Sequence, residues 1–224
     1  MKTLLRAAAI AVASTALVAG GSTVATAAPG DTASISVPDT ALNGFKGTTS
    51  KVIPVTLASN LRAVYATVTV NGVVVDNNAF VGQTGFTYQQ AWGPGVVTLT
   101  DLRDRSRISG GGNPGREVAG ASNAFTVRYG VDLSSQIRVT KRGKKLTFKV
   151  KAKYIDNRGK SVGIRKATIQ VKKSGKWKTL KNVSLKKNGT RTYKTSSSKK
   201  RNYRLLIKTT STYAGGNSTG TRKI

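Results

Sequence analysis

The sequence predicts an all-β protein built from two β-sandwich domains in tandem. Three observations lead to this fold class. Several segments alternate strictly between apolar and polar residues, which is the period of a strand with one buried face. Glycine- and asparagine-containing turns separate these segments at intervals of about 8–12 residues. No stretch beyond the N-terminus has a capped 3.6-residue apolar period, so we expect no long helix.

The first half of the chain contains a strong hairpin signal. In residues 63–70, Val64, Ala66, Val68 and Val70 fall on one face of a predicted strand. Asn71-Gly72 follows, and a second valine-rich run begins at residue 73. Both turn residues tolerate positive φ, so this dipeptide predicts a tight hairpin. Further predicted strands are Ser34–Val37, Lys51–Leu57, Val96–Leu102 and Ala124–Tyr129. Residues 109–115, between the last two, are predicted to form a glycine-rich loop.

The second half alternates more regularly. Along Leu146–Tyr154, every second residue is apolar and is predicted to face the core, whereas Lys149, Lys151 and Lys153 are predicted to line the opposite face. Ala167, Ile169 and Val171 repeat the pattern before a turn over residues 173–176, and Trp177 opens the next strand. A second hairpin is predicted at residues 188–189, and a late strand at residues 203–207.

The strand spacing and the length fit two immunoglobulin-like sandwiches. We predict domains at residues 28–133 and 134–224, joined near residues 131–136. Residues 1–27 are predicted to be a cleaved signal peptide, with a basic start, a short apolar run and an Ala-x-Ala site ending at Ala27. No second apolar segment is present, so we expect an extracellular protein without a transmembrane segment, held at the cell envelope by electrostatic contacts alone.

Charge divides the chain sharply. Residues 28–133 contain 8 Lys and Arg against 7 Asp and Glu, a net charge of +1. Residues 134–224 contain 28 Lys and Arg against a single carboxylate, Asp156, a net charge of +27. A charge of about 2–8 is enough to keep a small domain soluble. The excess in the second half therefore predicts a polyanionic partner or an anionic surface.

Several kinds of chemistry are excluded or disfavoured by composition. The chain has no histidine and no cysteine, which removes the commonest general base, thiolate nucleophiles and the usual transition-metal ligands. Asp101 and Asp104 are the one close pair of acids. Such a pair could act in glycoside hydrolysis or bind calcium, but the neighbouring Arg103, Arg105 and Arg107 favour a salt-bridged loop. We predict no catalytic residues, no metal site and no cofactor.

Part of the second half resembles immunoglobulin-like repeats of secreted actinobacterial proteins. The resemblance is carried by Trp177 to Leu180, by Asn188-Gly189-Thr190 with Tyr193, by Tyr203-Arg204 and by the small-residue tail Thr210–Ser218. It covers about 90 residues well and the first half loosely. The resemblance implies an exported β-sandwich without catalytic residues.

The predicted binding site is a set of basic residues in turns and on solvent-facing strand positions. They are Lys149, Lys151, Lys153, Lys172, Lys173, Lys176, Lys178, Lys199, Lys200 and Arg201. Lysine outnumbers arginine, and a lysine ammonium makes point-charge contacts rather than bidentate ones. We therefore expect charge-based binding to teichoic acid, to acidic polysaccharide, to nucleic acid without sequence specificity, or to an anionic cell surface.

Two alternative functions remain open at the level of the sequence. In the first, the protein is structural or adhesive, and the near-neutral domain recognises a protein or glycan partner through Tyr65, Tyr88 and Trp92. In the second, it is a secreted hydrolase or inhibitor that depends on Asp101 and Asp104.

Overall fold

The computed structural model describes residues 32–47, 49–59, 62–104, 117–218, 220–221 and 223–224. Within these residues the regular structure is almost entirely β, with one short 3-10 helix at Gln90–Trp92. Buried side chains form two separate cores, one spanning Ala33 to Tyr129 and the other Ile137 to Ile207. The predicted all-β fold class is confirmed, and the two cores fit the predicted pair of β-sandwiches in tandem. Their immunoglobulin-like character stays a prediction. The predicted signal peptide and the loop at residues 109–115 lie outside the described residues.

The described residues of the first domain form ten strands in two sheets. These strands are β1 (Thr32–Ser36), β2 (Thr40–Ala41), β3 (Ser50–Ile53), β4 (Thr56–Ser59), β5 (Ala63–Val70), β6 (Val73–Gly82), β7 (Gly85–Gln89), β8 (Gly95–Asp104), β9 (Ala119–Ser122) and β10 (Phe125–Arg128). The smaller sheet has the order β4-β1-β9, and the larger has the order β2-β10-β8-β5-β6-β7-β3. Apolar side chains of both sheets meet in the first core.

Two predicted features of the first domain can be compared directly with the structure. The hairpin at residues 71–72 is confirmed: Asn71 and Gly72 have φ of 52° and 79° and connect β5 to β6. The single strand predicted at Lys51–Leu57 is wrong, because the chain crosses between the two sheets there. Strand β3 pairs with β7, whereas β4 pairs with β1. Pro54, at the break, has no N–H to continue a ladder.

Nine strands are found in the described part of the second domain. They are β11 (Gln136–Arg142), β12 (Lys145–Lys151), β13 (Lys153–Ile155), β14 (Ser161–Gly163), β15 (Lys166–Lys173), β16 (Lys176–Ser184), β17 (Thr190–Ser196), β18 (Tyr203–Ile207) and β19 (Gly216–Asn217). A sheet of order β11-β12-β17 faces a sheet of order β16-β15-β18-β19, and β13 and β14 form a separate hairpin. The ring of Phe148 lies 5.0 Å from that of Tyr203, edge to face, between the two sheets.

The long strand predicted at Leu146–Tyr154 is correct only as far as Lys151. Leu146, Phe148 and Val150 are buried as expected. At Ala152 the backbone changes partners: its N–H donates to the Gly189 carbonyl, and its own carbonyl accepts from a residue next to β14. The strand therefore ends there, and Lys153 begins a different hairpin.

The predicted hairpin at residues 188–189 is also wrong. Strands β16 and β17, on either side of it, belong to different sheets, so this turn is part of a connection across the sandwich. The Gly189 N–H closes it by donating to the Lys186 carbonyl over 2.8 Å. The turn at residues 173–176 is confirmed, because Ser174 and Gly175 both have positive φ and connect β15 to β16.

A stack of three tyrosines joins the domains. Tyr129 of the first domain stacks on Tyr154 of the second at 5.3 Å between ring centroids. Tyr154 stacks in turn on Tyr213 at 5.4 Å. Isolated β-bridges pair Tyr129 with Tyr213 and Val131 with Tyr154. Tyr154 and Tyr213 pack against both cores, so the junction is continuous with each sandwich.

In the part of the chain that the structure describes, no helix is long and apolar enough to cross a membrane.

Candidate functional site

The outer face of the three-stranded sheet in the second domain brings cations together. Lys149 on β12 lies opposite Arg138 on β11 and Thr192 on β17. Residues directly opposite in an antiparallel pair share a face of the sheet. Side chains two positions apart also share it, at a spacing of about 6.6–6.8 Å along a strand. The resulting surface, called the basic face below, comprises Arg138, Arg142, Lys145, Lys149, Lys151 and Lys194.

Hydroxyl groups alternate with these cations on the basic face. The register places Thr140, Thr147 and Lys194 in one row across the three strands. The next rows contain Thr192 beside Lys149 and Thr190 beside Lys151. A hydroxyl donates a hydrogen bond to an anionic oxygen, so each row combines a charge with a neutral donor. This combination suits phosphate, sulfate or carboxylate groups.

A groove of about 450 Å³ is set into the end of the basic face nearer the first domain. Its basic lining residues are Arg138, Lys149, Lys151, Lys186 and Arg191. Its remaining lining residues are Gln136, Val150, Thr190 and Thr192, so none of the described residues that line it is a carboxylate. Lys186 reaches it from the connection between β16 and β17. The groove gives the basic face a concave region.

Asp132 lies within electrostatic reach of Lys151. Burial opposes ionisation of Asp132, but hydrogen bonds from Ser161 and Ser134 outweigh it and hold the pKa of its carboxyl below the usual value. Its oxygens accept from the Ser161 hydroxyl and from the Ser134 N–H. The Asp132 carboxylate therefore forms its hydrogen bonds within the junction between the domains.

A second group of cations lies at the end of the second domain that is farther from the first. Three connections are tied together there. The Ser197 N–H donates to the Lys144 carbonyl over 2.8 Å, the Lys141 Nζ donates to the Ser198 carbonyl over 3.2 Å, and the Lys172 N–H donates to the Asn202 carbonyl over 2.9 Å. This surface, called the basic end below, comprises Lys141, Lys144, Lys172, Lys173, Lys176, Lys199, Lys200 and Arg201.

The ten predicted site residues are thus divided between different surfaces. Lys149 and Lys151 are on the basic face, and Lys153 is in the β13–β14 hairpin. Six others are in the basic end: Lys172, Lys173, Lys176, Lys199, Lys200 and Arg201. The prediction that Lys149, Lys151 and Lys153 share one strand face is wrong, because β12 ends at Lys151.

Lys172 and Lys178 do not lie together either. Lys172 lies opposite Trp177, whereas Lys178 lies opposite the buried Val171. They therefore project from opposite sides of their sheet, with Lys178 at the exposed outer edge. The binding role of all ten residues stays a prediction.

Sequence reasoning missed several members of the basic face. Arg138 and Arg142 belong to a clear alternation in β11, whose exposed positions are every second residue. That pattern was available in the sequence. Lys194 on the basic face and Arg191 in its groove could not be assigned, because their placement depends on pairing β17 with β12 rather than with β16.

The aromatic residues proposed as contacts in the first domain are differently placed. Tyr88 was expected to be exposed, which is wrong: it is fully buried, and its hydroxyl donates to the Gly93 carbonyl over 2.8 Å. Burial raises the pKa of the Tyr88 hydroxyl. Trp92 packs edge to face on Tyr88, and Tyr65 packs on Phe80.

The acidic pair lies in a strand instead of a loop. Asp101 is exposed in β8 with φ of 49°, whereas Asp104 is buried at the end of the same strand. Arg103 donates to the Asn77 carbonyl. Arg105 and Arg107 lie outside the described residues. Within the described ranges, no group of three or more acidic, histidine or cysteine residues is placed to hold a metal ion.

No protein-family model and no curated protein matches this chain. Among solved structures, the chain is similar to the D00-D0 domain of Intimin, with a TM-score of 0.28 and 14% identity, covering 86% of this chain and 99% of that one. It is also similar to the D0-D1 domain of Intimin, with a TM-score of 0.25 and 14% identity, covering 82% and 95% of the two chains. Likenesses at this level say nothing of function.

Proposed function

We propose that this protein is an exported, non-catalytic binding protein whose second domain holds an anionic polymer or an anionic envelope surface. The observation that carries the proposal is the basic face, where six cations share one side of one sheet. The ligand class is a repeating anion such as teichoic acid, acidic polysaccharide or nucleic acid. Charge neutralisation and counterion release would supply most of the affinity.

The arrangement of the basic face is unfavourable without a ligand. Arg138 and Lys149 are directly opposite, and like charges in that position destabilise a sheet. In the first domain, by contrast, Asp39 neutralises a cation: its Oδ2 lies 3.0 Å from the Arg128 Nη1. Anionic groups of a ligand would remove the repulsion on the basic face.

The contrast with ordinary lysine-bearing strands supports the proposal. Lysines on edge strands discourage aggregation. In the basic face, however, Lys149 and Lys151 belong to β12, the central strand of the sheet, which is paired on both sides. Edge protection therefore does not account for them.

The proposal can be tested by comparing two double variants that remove equal charge. One is Lys149→Gln/Lys151→Gln on the basic face, and the control is Lys46→Gln/Arg62→Gln in exposed positions of the first domain. Binding of each to double-stranded DNA, inorganic polyphosphate and an acidic polysaccharide would be measured by titration. The basic-face variant should weaken binding by about 10-fold or more, since a buried or close charge contact is worth more than one tenfold step. Equal losses for both variants would contradict the assignment to the basic face.

We also infer a second candidate function, adhesion through the first domain. The observation that favours it is a group of exposed apolar residues around the β5–β6 turn. Val73, Val74 and Val96 are 65%, 56% and 51% exposed. Exposed apolar groups of this kind mark contact surfaces when they are contiguous.

The adhesion candidate predicts a specific contact at this turn. A photocrosslinker placed at Val74 should capture one defined protein or glycan from intact cells. The same crosslinker at exposed Thr87, in the same domain, should capture nothing in common with it. Identical products from both positions would exclude a specific contact at the turn.

A further inference from the structure

A second groove lies on the other sheet of the second domain, beside the junction with the first. Its volume is about 610 Å³, and it is formed by the start of β15, the end of β16 and the segment 208–213 after β18. The residues that matter for its chemistry are Arg165, Lys166, Thr168, Asn182, Lys208 and Tyr213. Ligand sites are commonly about 300–1,000 Å³ and favour domain interfaces. This groove has a volume in that range and lies beside the domain junction, although only residues of the second domain line it.

The aromatic wall of the groove is fixed before any ligand arrives. Tyr213 stacks on Tyr154 with 18° between the ring planes, and Tyr154 stacks on Tyr129. One face of the Tyr213 ring is thereby occupied, so its other face or its edge is what lines the groove. Ala167 and Val183 also line the groove, but their side chains belong to the second core, so the Tyr213 ring is its main apolar surface. A rigid apolar surface suits the C–H face of a ring-shaped ligand.

The segment that carries Tyr213 is held by both domains. Arg128 of the first domain donates from its Nε to the Thr210 carbonyl over 3.0 Å and pairs with Asp39. Within the segment, the Thr210 hydroxyl oxygen accepts from the Tyr213 N–H over 3.2 Å. The wall of the groove is therefore tied to the domain junction, which limits the entropy that a ligand must remove.

The polar part of the groove is built for hydrogen bonding. The buried Thr168 hydroxyl donates to the Asn182 Oδ1 over 2.8 Å. With that oxygen engaged, the Asn182 Nδ2 is available to donate to a ligand oxygen. Hydroxyl groups of Ser184, Thr209 and Thr210 also line the groove. Several neutral partners around one apolar wall match a ligand with many hydroxyl groups.

Charge in the groove has a single sign. Arg165, Lys166 and Lys208 are exposed at its rim, and no carboxylate lines it among the residues that the structure describes. A simple inorganic anion would use these cations but not the apolar wall. A neutral sugar would use the wall and the hydroxyl groups but not the cations. A ligand that uses all three has a ring with an apolar face, several hydroxyl groups and a negative substituent.

We propose that this groove binds a single acidic sugar unit. The site is independent of the basic face, because it lies on the opposite sheet and recognises the shape of one unit rather than a run of charges. Binding here should depend less steeply on salt than binding at the basic face, since fewer ionic contacts form. A free end of an acidic polysaccharide or a short oligosaccharide would be the natural occupant.

The test uses a galacturonate oligomer of two units, which carries too few charges for the run of contacts that holds a polymer on the basic face. A neutral glucose oligomer of the same length is the comparison ligand. The substitution Asn182→Asp retains an acceptor for Thr168 but adds a negative charge inside the groove. It should weaken binding of the galacturonate oligomer by about 10-fold or more, because like charges in a contact site repel. Lys208→Gln, at an exposed position, provides a second variant that does not disturb packing and should weaken binding in the same direction.

The matched control is Lys149→Gln/Lys151→Gln on the basic face. This variant should bind the galacturonate oligomer like the unmodified protein but lose affinity for inorganic polyphosphate. Asn182→Asp should show the reverse pattern. If the galacturonate oligomer is lost with the basic-face variant and retained with Asn182→Asp, the groove proposal is overturned and the basic-face proposal stands. Equal binding of the neutral and acidic oligomers, or no binding of the acidic oligomer, would also overturn it.

Discussion

The two domains have equivalent cores and contrasting outer faces. Val64, Ala66 and Val68 in β5 are completely buried, as are Leu146 and Phe148 in β12 to within 1%. On the outer faces, the first domain carries hydroxyl residues and the second carries cations. The fold therefore requires the inner alternation but does not require the charge. The two domains differ in the chemistry of their outer faces, and this difference indicates the kind of partner that each domain contacts.

The hydroxyl groups of the first domain show what an uncharged outer face looks like. Thr69 on β5 lies opposite Thr98 on β8, and their hydroxyl oxygens are 2.6 Å apart. In the second domain, the directly opposite residues Lys149 and Arg138 form such a cross-strand pair. The first pair is joined by a hydrogen bond, whereas the second is repulsive. Selection for stability alone favours the first arrangement.

The largest expected effect is the loss of a core side chain. Phe148→Ala should destabilise the second domain by about 3–5 kcal/mol, because it removes a fully buried ring that contacts both Tyr193 and Tyr203. Denaturant unfolding followed by circular dichroism would measure it. A loss below about 1 kcal/mol would mean that the core is not organised as described, since that is the range of surface substitutions.

The next effect concerns the junction. Tyr154→Ala removes the middle ring of the tyrosine stack, which packs against both cores. We expect a loss of about 2–3 kcal/mol, smaller than for Phe148 because Tyr154 is only partly buried. We also expect the two domains to unfold in separate calorimetric transitions. A single unchanged transition would show that the stack does not couple them.

Because Asp132 titrates in the junction, the stability of the folded protein depends on pH there. The pKa of its carboxyl is lower in the folded protein than the ordinary value of 3.8. The ionised group therefore contributes stability above pH 3.8, and that contribution is lost as the pH falls through the lowered folded pKa. Asp132→Asn should cost about 1 kcal/mol at pH 6. The difference in Tm between the two proteins should shrink below pH 3.8, and a constant difference would contradict the assignment.

The smallest expected effect is the change in stability caused by Lys149→Thr, which compares the outer faces of the two domains directly. Lys149→Thr places in the second domain the residue type found at the outer positions of the first. It should stabilise the domain by about 0.2–1 kcal/mol, because it relieves repulsion with Arg138. Thermal unfolding at low salt would show the gain, and high salt would reduce it by screening. Destabilisation at low salt would mean that Lys149 has a structural role.

The inner faces of the sandwiches could be predicted from the sequence because alternation is local. Leu146, Phe148 and Val150 are buried as their period requires. The turn at Asn71-Gly72 could be predicted because both residues accept positive φ. These features depend on a few neighbouring residues and on no long-range pairing.

The composition of the basic face could not be predicted, because it depends on which strands pair. Arg138 and Lys149 meet only through the register of β11 with β12. Lys172 and Lys178 were assigned to the same predicted site, but the pairing of β15 with β16 places them on opposite sides of the sheet. The end of β12 just before Ala152 could not be predicted either. It depends on a hydrogen bond from Ala152 to Gly189, which is distant in sequence.

The most direct test of the central claim is the salt dependence of DNA binding by the unmodified protein and by Lys149→Gln/Lys151→Gln. If the basic face holds the polymer, log K for the unmodified protein should fall steeply with log salt, by about 10³-fold or more between roughly 50 and 200 mM. The variant should show a slope smaller by about 2, one for each lost phosphate contact. Parallel lines for the two proteins, or negligible binding at every salt concentration, would contradict the claim.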